Sequence, residues 1–594
     1  MRKESFNHHH LNRPVSDRQG VNATLIVGRE CEREQLQTLW SQAKDGHGQV
    51  VLITGEPGIG KSHLIRALIT ELIHETYQLI ECHGSPDHQH SALYPIIEFA
   101  KEALSFHPSD PADKKLAKIE ATLARYQASH ESVIPLLASL FALPLSESRY
   151  PLLISTPLRQ KQDPLDLMIQ MLENLAHRLP VLIVVEDVHW IDPSTLDVLN
   201  RLIQHTPHLR LLLCCTFRPE FRVPWNAVAN LHQLVLDRLT PDQADLLVHH
   251  VTSGRDLPAH VRQSLLAKAD GVPLFIEALT KAYMASGGCQ AHTLNAWLLA
   301  RLDDIGASKV VAQQAATLGH FFSETILQIA SGLEPDELQQ ALQRLVAAEL
   351  IEPKKNTANA IYAFKHALIQ EILYQSIPSE TRRHYHEQIA HALVQHVQMT
   401  AELQPELVAH HFTEAGLLSD AIPYWHQAGT RANARSACAE AVIHLNKGLG
   451  LQAMLPDSQT SILQEIDLQT ALAPALMATT SPTAPEVEQV HARARALCQQ
   501  VGTTPKLIWP LEGLWAYYHM RGQLSTAQQS GEQLLHLAHQ LQSPIAFAVA
   551  HQTMGLTLFY LGQFSDALAH LEEGIAYRPL CAEAAPVAAS PRRA

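Results

Sequence analysis

The chain has no run of about 18 consecutive apolar residues, the length that crosses a bilayer, and no secretory signal opens it. A membrane-spanning or exported protein is therefore not expected. Eight cysteines are present, but none fall in a C-x-x-C spacing. Cys214 and Cys215 stand side by side in an apolar run and read as small core residues, so a reduced, cytoplasmic setting fits. The 36 histidines include no H-E-x-x-H or comparable zinc pattern, and His8, His9 and His10 fall in a polar leader. Positive charge is also scarce: 45 Lys and Arg against 59 Asp and Glu leave a net charge of −14. That argues against a surface coated with nucleic acid, although one basic patch remains compatible with it. What is left is a globular balance, 46% hydrophobic and 18% charged, in 594 residues, enough for several domains.

The most informative stretch is Val51-Leu52-Ile53-Thr54-Gly55-Glu56-Pro57-Gly58-Ile59-Gly60-Lys61-Ser62. An apolar strand run leads into G-x-x-x-x-G-K-S, and a helical pattern follows over 61–75. Gly55, Gly58 and Gly60 let the backbone curl until successive N–H groups face an anion. The helix N-terminus, with His63 in its first turn, adds its dipole. Lys61 can reach β and γ phosphates, and the Ser62 hydroxyl can ligate magnesium. The same pattern without a strand before it and a helix after it is a common accident; in this setting it reads as a phosphate-binding loop.

Magnesium-dependent nucleotide chemistry also needs an acid at the end of a neighbouring buried strand. Val181-Leu182-Ile183-Val184-Val185-Glu186-Asp187 supplies it, a β run suited to burial on both faces with its acids at the C-terminal end. Asp192 and Pro193 then open a helix. Another strand, 209–216, ends in Thr216-Phe217-Arg218-Pro219, where a polar or basic residue can sense a γ phosphate. Strands are also expected at 49–54, 77–83 and 231–236. The long gap between Ser62 and Glu186 leaves room for strand 77–83 and a helical insertion. It suggests a sheet with an additional strand between the two phosphate-site strands. The fold class expected is an α/β P-loop NTPase with a parallel sheet of the additional-strand type, followed by a helical lid, a winged helix and an all-α solenoid.

Val27-Gly28-Arg29-Glu30, Gly55–Ser62, Val184–Pro193, Thr216–Pro219, Ser91–Pro95 and Asp270–Glu277 resemble the signal-transduction ATPases with numerous domains, a branch of the AAA+ class. The resemblance runs from about Leu25 to Tyr577. It implies ATP or ADP with Mg2+ as ligands, Val27 and Gly28 against adenine, and Lys61 and Ser62 on phosphate and magnesium. Glu186 and Asp187 would be the magnesium-holding and water-polarising acids; the family order is Asp first, so which does which stays open. It further implies Arg218 as a sensor, Pro273 in the Gly-x-Pro turn of the lid, and His366 on the diphosphate of bound ADP. Implied domains are 1–24 leader, 25–236 ATPase core, 237–292 lid, 293–378 winged helix, 379–577 repeats and 578–594 irregular tail.

In the winged-helix segment, helices are expected near 295–304, 307–319 and 335–349, and strands at 350–352 and 361–364. Lys354, Lys355 and Asn356 occupy the turn between those strands and read as a solvated turn rather than a DNA contact. From about 380 to 577 an offset rule recurs: Gly416, Ala421, Trp425, Ala428; Gly522, Ala527, Gly531, Leu534; Gly562, Ala567, Leu571, Gly574. Ala441, Leu445 and Gly448 match it in part. Small residues where paired helices touch mark tetratricopeptide-like repeats, which stack into a protein-recognition surface. Gly555 marks a helix crossing, and Pro579 is expected to end the last helix. The Pro-, Ser- and Thr-punctuated segment 452–490 is expected to break the series. The Ala/Pro-rich tail suggests a truncated or altered end, and neither end offers an output module.

The expectation is a slowly hydrolysing ATP switch whose repeats bind a protein partner or inducer. Its output would come from a cyclase, kinase or transcription effector in cis or in trans, with nucleotide-dependent self-association also open. The competing expectations are a DNA-handling AAA+ ATPase and a repeat scaffold with a vestigial ATPase.

Overall fold

The computed structural model describes residues 26–584, except 108–109, 127–133, 135–136, 139, 142, 144–163, 226–229, 287–305, 307, 355–359, 401–403, 457 and 503. The chain divides into two compact units, Met1–Ala401 and Glu402–Ala594. The expected leader 1–24, helix 295–304 and wing residues Lys355 and Asn356 lie outside the described residues.

The first unit is organised by a parallel sheet of β1 (Gln49–Thr54), β2 (Gln78–His83), β3 (Val181–Glu186), β4 (Leu211–Phe217) and β5 (Leu231–Val235), in the order β2-β3-β4-β1-β5. All six residues of β1 and all seven of β4 are buried. Continuous apolar runs are what a parallel strand covered on both faces requires. Alternate residues serve opposite layers. Val51, Ile53, Leu182, Val184, Leu212 and Cys214 pack under helices Glu30–Lys44 and Lys61–Glu71. Leu52, Ile183, Val185, Leu213 and Cys215 face helices Pro164–Arg178 and Pro193–His205. The adjacent cysteines thus serve different layers. Both are fully buried, and burial pushes the Cys214 thiol up to about 12, so these are inert core groups.

The additional strand is present, but it is not the one in the gap. β4, later in the chain, lies between β1 and β3, with Val51 opposite Cys214 and Val184 opposite the same residue. Strand Gln78–His83 is the sheet edge. Its side chains are only partly buried, which suits an edge, whereas the wholly apolar β4 suits the centre.

Three helices follow β5: Pro241–Val251, Ala259–Ala269 and Pro273–Ser286. Thr240 caps the first in a capping box with Gln243. Between the second and third, Asp270 and Gly271 both take positive φ, 47° and 73°. A Cβ on Gly271 would lie 2.7 Å from the Leu239 carbonyl oxygen, so only glycine fits there.

Helices Ser308–Leu318, Glu324–Ser331 and Pro335–Ala347 then surround an antiparallel sheet of β6 (Phe321–Ser323), β7 (Ile351–Pro353) and β8 (Ile361–Phe364), ordered β6-β8-β7. β6 and helix Glu324–Ser331 were not anticipated, being too short to show a period. Helices Ala367–Gln375 and Ser379–Thr400 complete the described part of this unit.

The second unit is helical throughout its described residues, each helix packing on the next from Pro405–Ala415 to Phe564–Ala584. Gly416, Gly522 and Gly562 turn the chain at φ 83°, 72° and 79°, and Ser436 does so at 60°. Five residues after each turn comes a small buried residue: Ala421, Ala527 and Ala441 at 0% exposure, Ala567 at 2%.

Two expectations fail here. Segment 452–490 does not break the series, because it contains all of helix Gln459–Thr479 and the start of helix Pro485–Val501. Its punctuation residues act as caps: Ser458 accepts from the Ser461 amide, and Pro485 occupies a first-turn position. Nor does Pro579 end the last helix, which continues to Ala584, seven residues into the expected irregular tail. The carbonyl that Pro579 leaves unbonded is that of Ile575, a residue 64% exposed, where water can serve it.

Candidate functional site

β1 delivers the glycine loop at the C-terminal edge of the sheet, the side where ligands bind in open parallel folds. Gly58 and Gly60 take φ 80° and 104°. A Cβ at Gly60 would meet nothing within 4 Å, so its glycine serves conformation and not crowding. Lys61 curls back over the loop, its Nζ donating to the carbonyls of Gly55 at 2.6 Å and Glu56 at 3.0 Å. Burial lowers its pKa, as does the charge of Arg218, while Asp187, Glu220 and Glu186 oppose the shift.

The acidic strand end meets this loop. The Ser62 hydroxyl donates to Glu186 Oε2 at 2.9 Å, and His83 Nδ1 at the end of β2 lies 3.8 Å from the same oxygen. Asp187 follows in the left-handed region, φ 56°, which costs a non-glycine residue about 1–3 kcal/mol. Its amide donates to Thr216 Oγ1 at 3.0 Å. Gly84 makes room for the bend, since a Cβ there would sit 2.3 Å from the Asp187 carbonyl oxygen. Burial raises the Asp187 pKa to about 6; the neighbouring Glu186 charge adds to the rise, and Lys61 and Arg218 oppose it. Next to it, burial and the charges of Arg218 and Lys61 lower His189 to about 4.

The remaining expected residues lie around this centre. Arg218 sits 4.7 Å above the Trp190 ring and 3.4 Å from Glu371 Oε2, on helix Ala367–Gln375. It is therefore turned partly toward that helix. Pro273 starts the third lid helix, where the Leu274 amide donates to the Gly58 carbonyl at 3.2 Å. A Cβ on Gly58 would lie 3.0 Å from Leu274 Cβ, so the lid helix rests directly on the loop. Gly28 lies against Gln243 of the first lid helix, and Val27 beside it is half-buried. His63 and His366 both have their pKa lowered by burial, and both feel Glu277 and Arg66. The shared charge partners put His366 near the loop helix and the lid.

Three features escaped the sequence. Arg238 clamps Glu56 with Nε at 3.1 Å and Nη2 at 3.0 Å, and also pairs with Asp270 of the lid. Arg29, only 8% exposed, donates to the Asp237 and Ile59 carbonyls and ties the segment before the sheet to the loop. Buried Asp192, expected only to start a helix, accepts from the Thr195 amide at 2.9 Å and the Leu93 amide at 2.8 Å. The one available signal was position: Arg238 follows the C-terminal end of β5.

The donor set fits a magnesium nucleotide. A hydroxyl and a carboxylate meet at 2.9 Å, and a buried ammonium sits over the loop, donating to its carbonyls. Ser62 and Glu186 would hold the metal, and the loop amides and Lys61 the phosphates.

Residues 25–214 match the AAA ATPase domain family. The chain thus carries an AAA ATPase domain, on a P-loop NTPase fold followed by a largely helical C-terminal region. An uncharacterized protein of Rhizobium meliloti (strain 1021) is 27% identical over 512 residues, covering 80% of this chain and 48% of that protein. The chain therefore spans about half the length of this relative. Among solved structures, it is similar to a signal transduction ATPase with numerous domains bearing a tetratricopeptide repeat sensor, from Pyrococcus horikoshii, at 12% identity and TM-score 0.37, over 95% of this chain and 86% of that one. The Aeropyrum pernix ORC1 protein in complex with DNA aligns at 14% identity and TM-score 0.32, over 59% and 94%. Among the described residues, no helix is long and apolar enough to cross a membrane.

Proposed function

We propose that the chain is an ATP-operated signalling switch that binds and slowly hydrolyses ATP. The supporting observation is that the sheet and the lid meet at the loop, while a third part of the first unit reaches Arg218, whose charge acts on Lys61. The sheet brings Glu186 to Ser62, the lid sets Leu274 on Gly58, and helix Ala367–Gln375 holds Arg218 through Glu371. A change at the loop is thereby felt by the lid and by the small β6-β8-β7 unit, which we read as a winged helix. His366 belongs to that unit, and its place near Arg66 and Glu277 suits a contact that favours the diphosphate state.

Magnesium, when bound, would neutralise charge on the β and γ phosphates. Asp187, with its raised pKa, is the better candidate to accept a proton from water, and Glu186, hydrogen-bonded to Ser62, the better metal ligand. The repeats would recognise a protein partner or inducer along their stacked surface, and an effector in cis or in trans would carry the output. Reversing a 1:99 population requires about 5.5 kcal/mol of differential binding, so nucleotide exchange and repeat ligand would act together.

The test is nucleotide affinity with and without Lys61→Ala. A loss of affinity of tenfold or more is expected, since about 1.4 kcal/mol suffices for it; equal affinities would remove the reading. The duplex-handling alternative draws no support from the described wing residue, because Lys354 lies 3.8 Å from Glu352 and stacks over Phe321.

A further inference from the structure

In the second unit, away from the loop, three ligand-bearing side chains converge between helices Pro544–Tyr560 and Phe564–Ala584. His551 Nδ1 lies 3.0 Å from His570 Nδ1 and 3.1 Å from Glu573 Oε2. One ligand atom from each of the three falls within 4.8 Å of the others, and among the described residues no other trio of His, Cys, Asp or Glu does this.

The site is built by packing. His551 is 7% exposed and lies beside the stacked pair Phe547 and Tyr577, at 6.3 Å and 6.0 Å from their rings. Gly574 lets the two helices approach: a Cβ there would stand 3.3 Å from His551 Cβ. His570 and Glu573 are three residues apart on one helix and share a face. His570 is half-buried and Glu573 exposed, so the cluster opens to solvent on one side.

Protons alone serve this arrangement poorly. Two ring nitrogens facing each other share one hydrogen. The same His551 nitrogen also faces a carboxylate, so a hydrogen on it can bond well to only one of its two neighbours. A divalent cation satisfies all three lone pairs at once. Tetrahedral zinc, with ligands at about 2.0–2.2 Å, places neighbouring ligand atoms about 3.3 Å apart, close to the two separations observed.

We propose that His551, His570 and Glu573 bind a divalent transition-metal ion, zinc foremost, which clips the last two described helices together. Two imidazoles and a carboxylate suit zinc, and three protein ligands leave a fourth position for water. The clip would stiffen the final helix pair of the repeat array.

The full-length chain, stripped with a chelator, would be titrated with Zn2+ and separately with Co2+, alongside Glu573→Gln and His570→Gln. The substitutions replace an exposed and a half-buried side chain by ones of similar size, and circular dichroism checks their fold. The wild type should bind one zinc equivalent that each variant loses or holds at least about tenfold more weakly. It should also give the intense visible bands of four-coordinate Co2+, absent from both variants. Zinc should raise the wild-type melting temperature more than that of either variant. Unchanged zinc stoichiometry and affinity in either variant, or no such Co2+ bands in the wild type, would overturn the proposal.

Discussion

Ser62 donates its hydroxyl hydrogen to Glu186 Oε2 across 2.9 Å, although 124 residues separate the two. The contact joins the glycine loop to the end of β3, and on the proposed reading the first acid of the pair stands on the metal side. Replacing Glu186 by Gln keeps an acceptor for Ser62 but removes the charge. The magnesium concentration needed for half-maximal hydrolysis should then rise about 10- to 100-fold, with nucleotide affinity in the absence of magnesium nearly unchanged. A magnesium titration of both proteins checks this, and an unaltered midpoint would place the metal elsewhere.

Asp187 carries a pH signature. In the folded chain its pKa is raised to about 6 from 3.8, with burial the first cause. Between those values the folded state holds more protons than the unfolded state, so this residue makes stability fall as pH rises from about 4 to about 6, and the deficit persists above. Asp187→Asn should therefore melt higher than wild type at pH 7.5, with the gap closing near pH 4. If Asp187 takes the proton from water, wild-type hydrolysis should also decline below about pH 6, and the variant should be slower by about 10²–10⁴-fold. Melting curves and single-turnover rates across pH 4–8 test both halves separately.

Arg218 is shared between the site and helix Ala367–Gln375. Its partner Glu371 is 40% exposed at 3.4 Å, so the ion pair is worth about 0.2–1 kcal/mol at most. Glu371→Gln should accordingly speed nucleotide exchange or basal hydrolysis by no more than about fivefold, and added salt should shrink the difference between the two proteins. A change of a hundredfold, or none at any ionic strength, would show that Glu371 does not restrain Arg218.

Gly555 sits at a helix crossing. A Cβ there would lie 2.7 Å from Leu571 Cγ and 3.2 Å from the Ala567 carbonyl oxygen. The leucine can turn aside; the backbone oxygen cannot without moving its helix. Gly555→Ala should destabilise the second unit by about 1–3 kcal/mol, read from denaturant unfolding, with nucleotide binding unaffected. The same substitution at Gly450, within a helix where a Cβ meets nothing within 4 Å, is the control and should not destabilise.

β1, β3 and β4 were legible because buried parallel strands must be continuously apolar, and each such run is bounded by polar residues. The loop was legible because phosphate binding dictates glycine, lysine and serine at set spacings. The order of strands was not read, although the polar residues of β2 against the apolar run of β4 mark edge and centre, because which strands pair depends on neighbours far along the chain. Segment 452–490 misled for a related reason. Proline and serine punctuate both helix starts and loops, and only the burial of Ile466, Leu468 and Leu472 distinguishes the two.

Local chemistry by itself determined the phosphate loop, the acidic strand end and the small residues at helix crossings, because each is a requirement of backbone shape or charge within a few residues. Tertiary packing alone decided that Ser62 meets Glu186, that Arg218 is held by Glu371, and that His551 faces both His570 and Glu573. Those pairings depend on which surfaces the folded chain brings together, and the energy of burying apolar area sets them without regard to distance along the sequence.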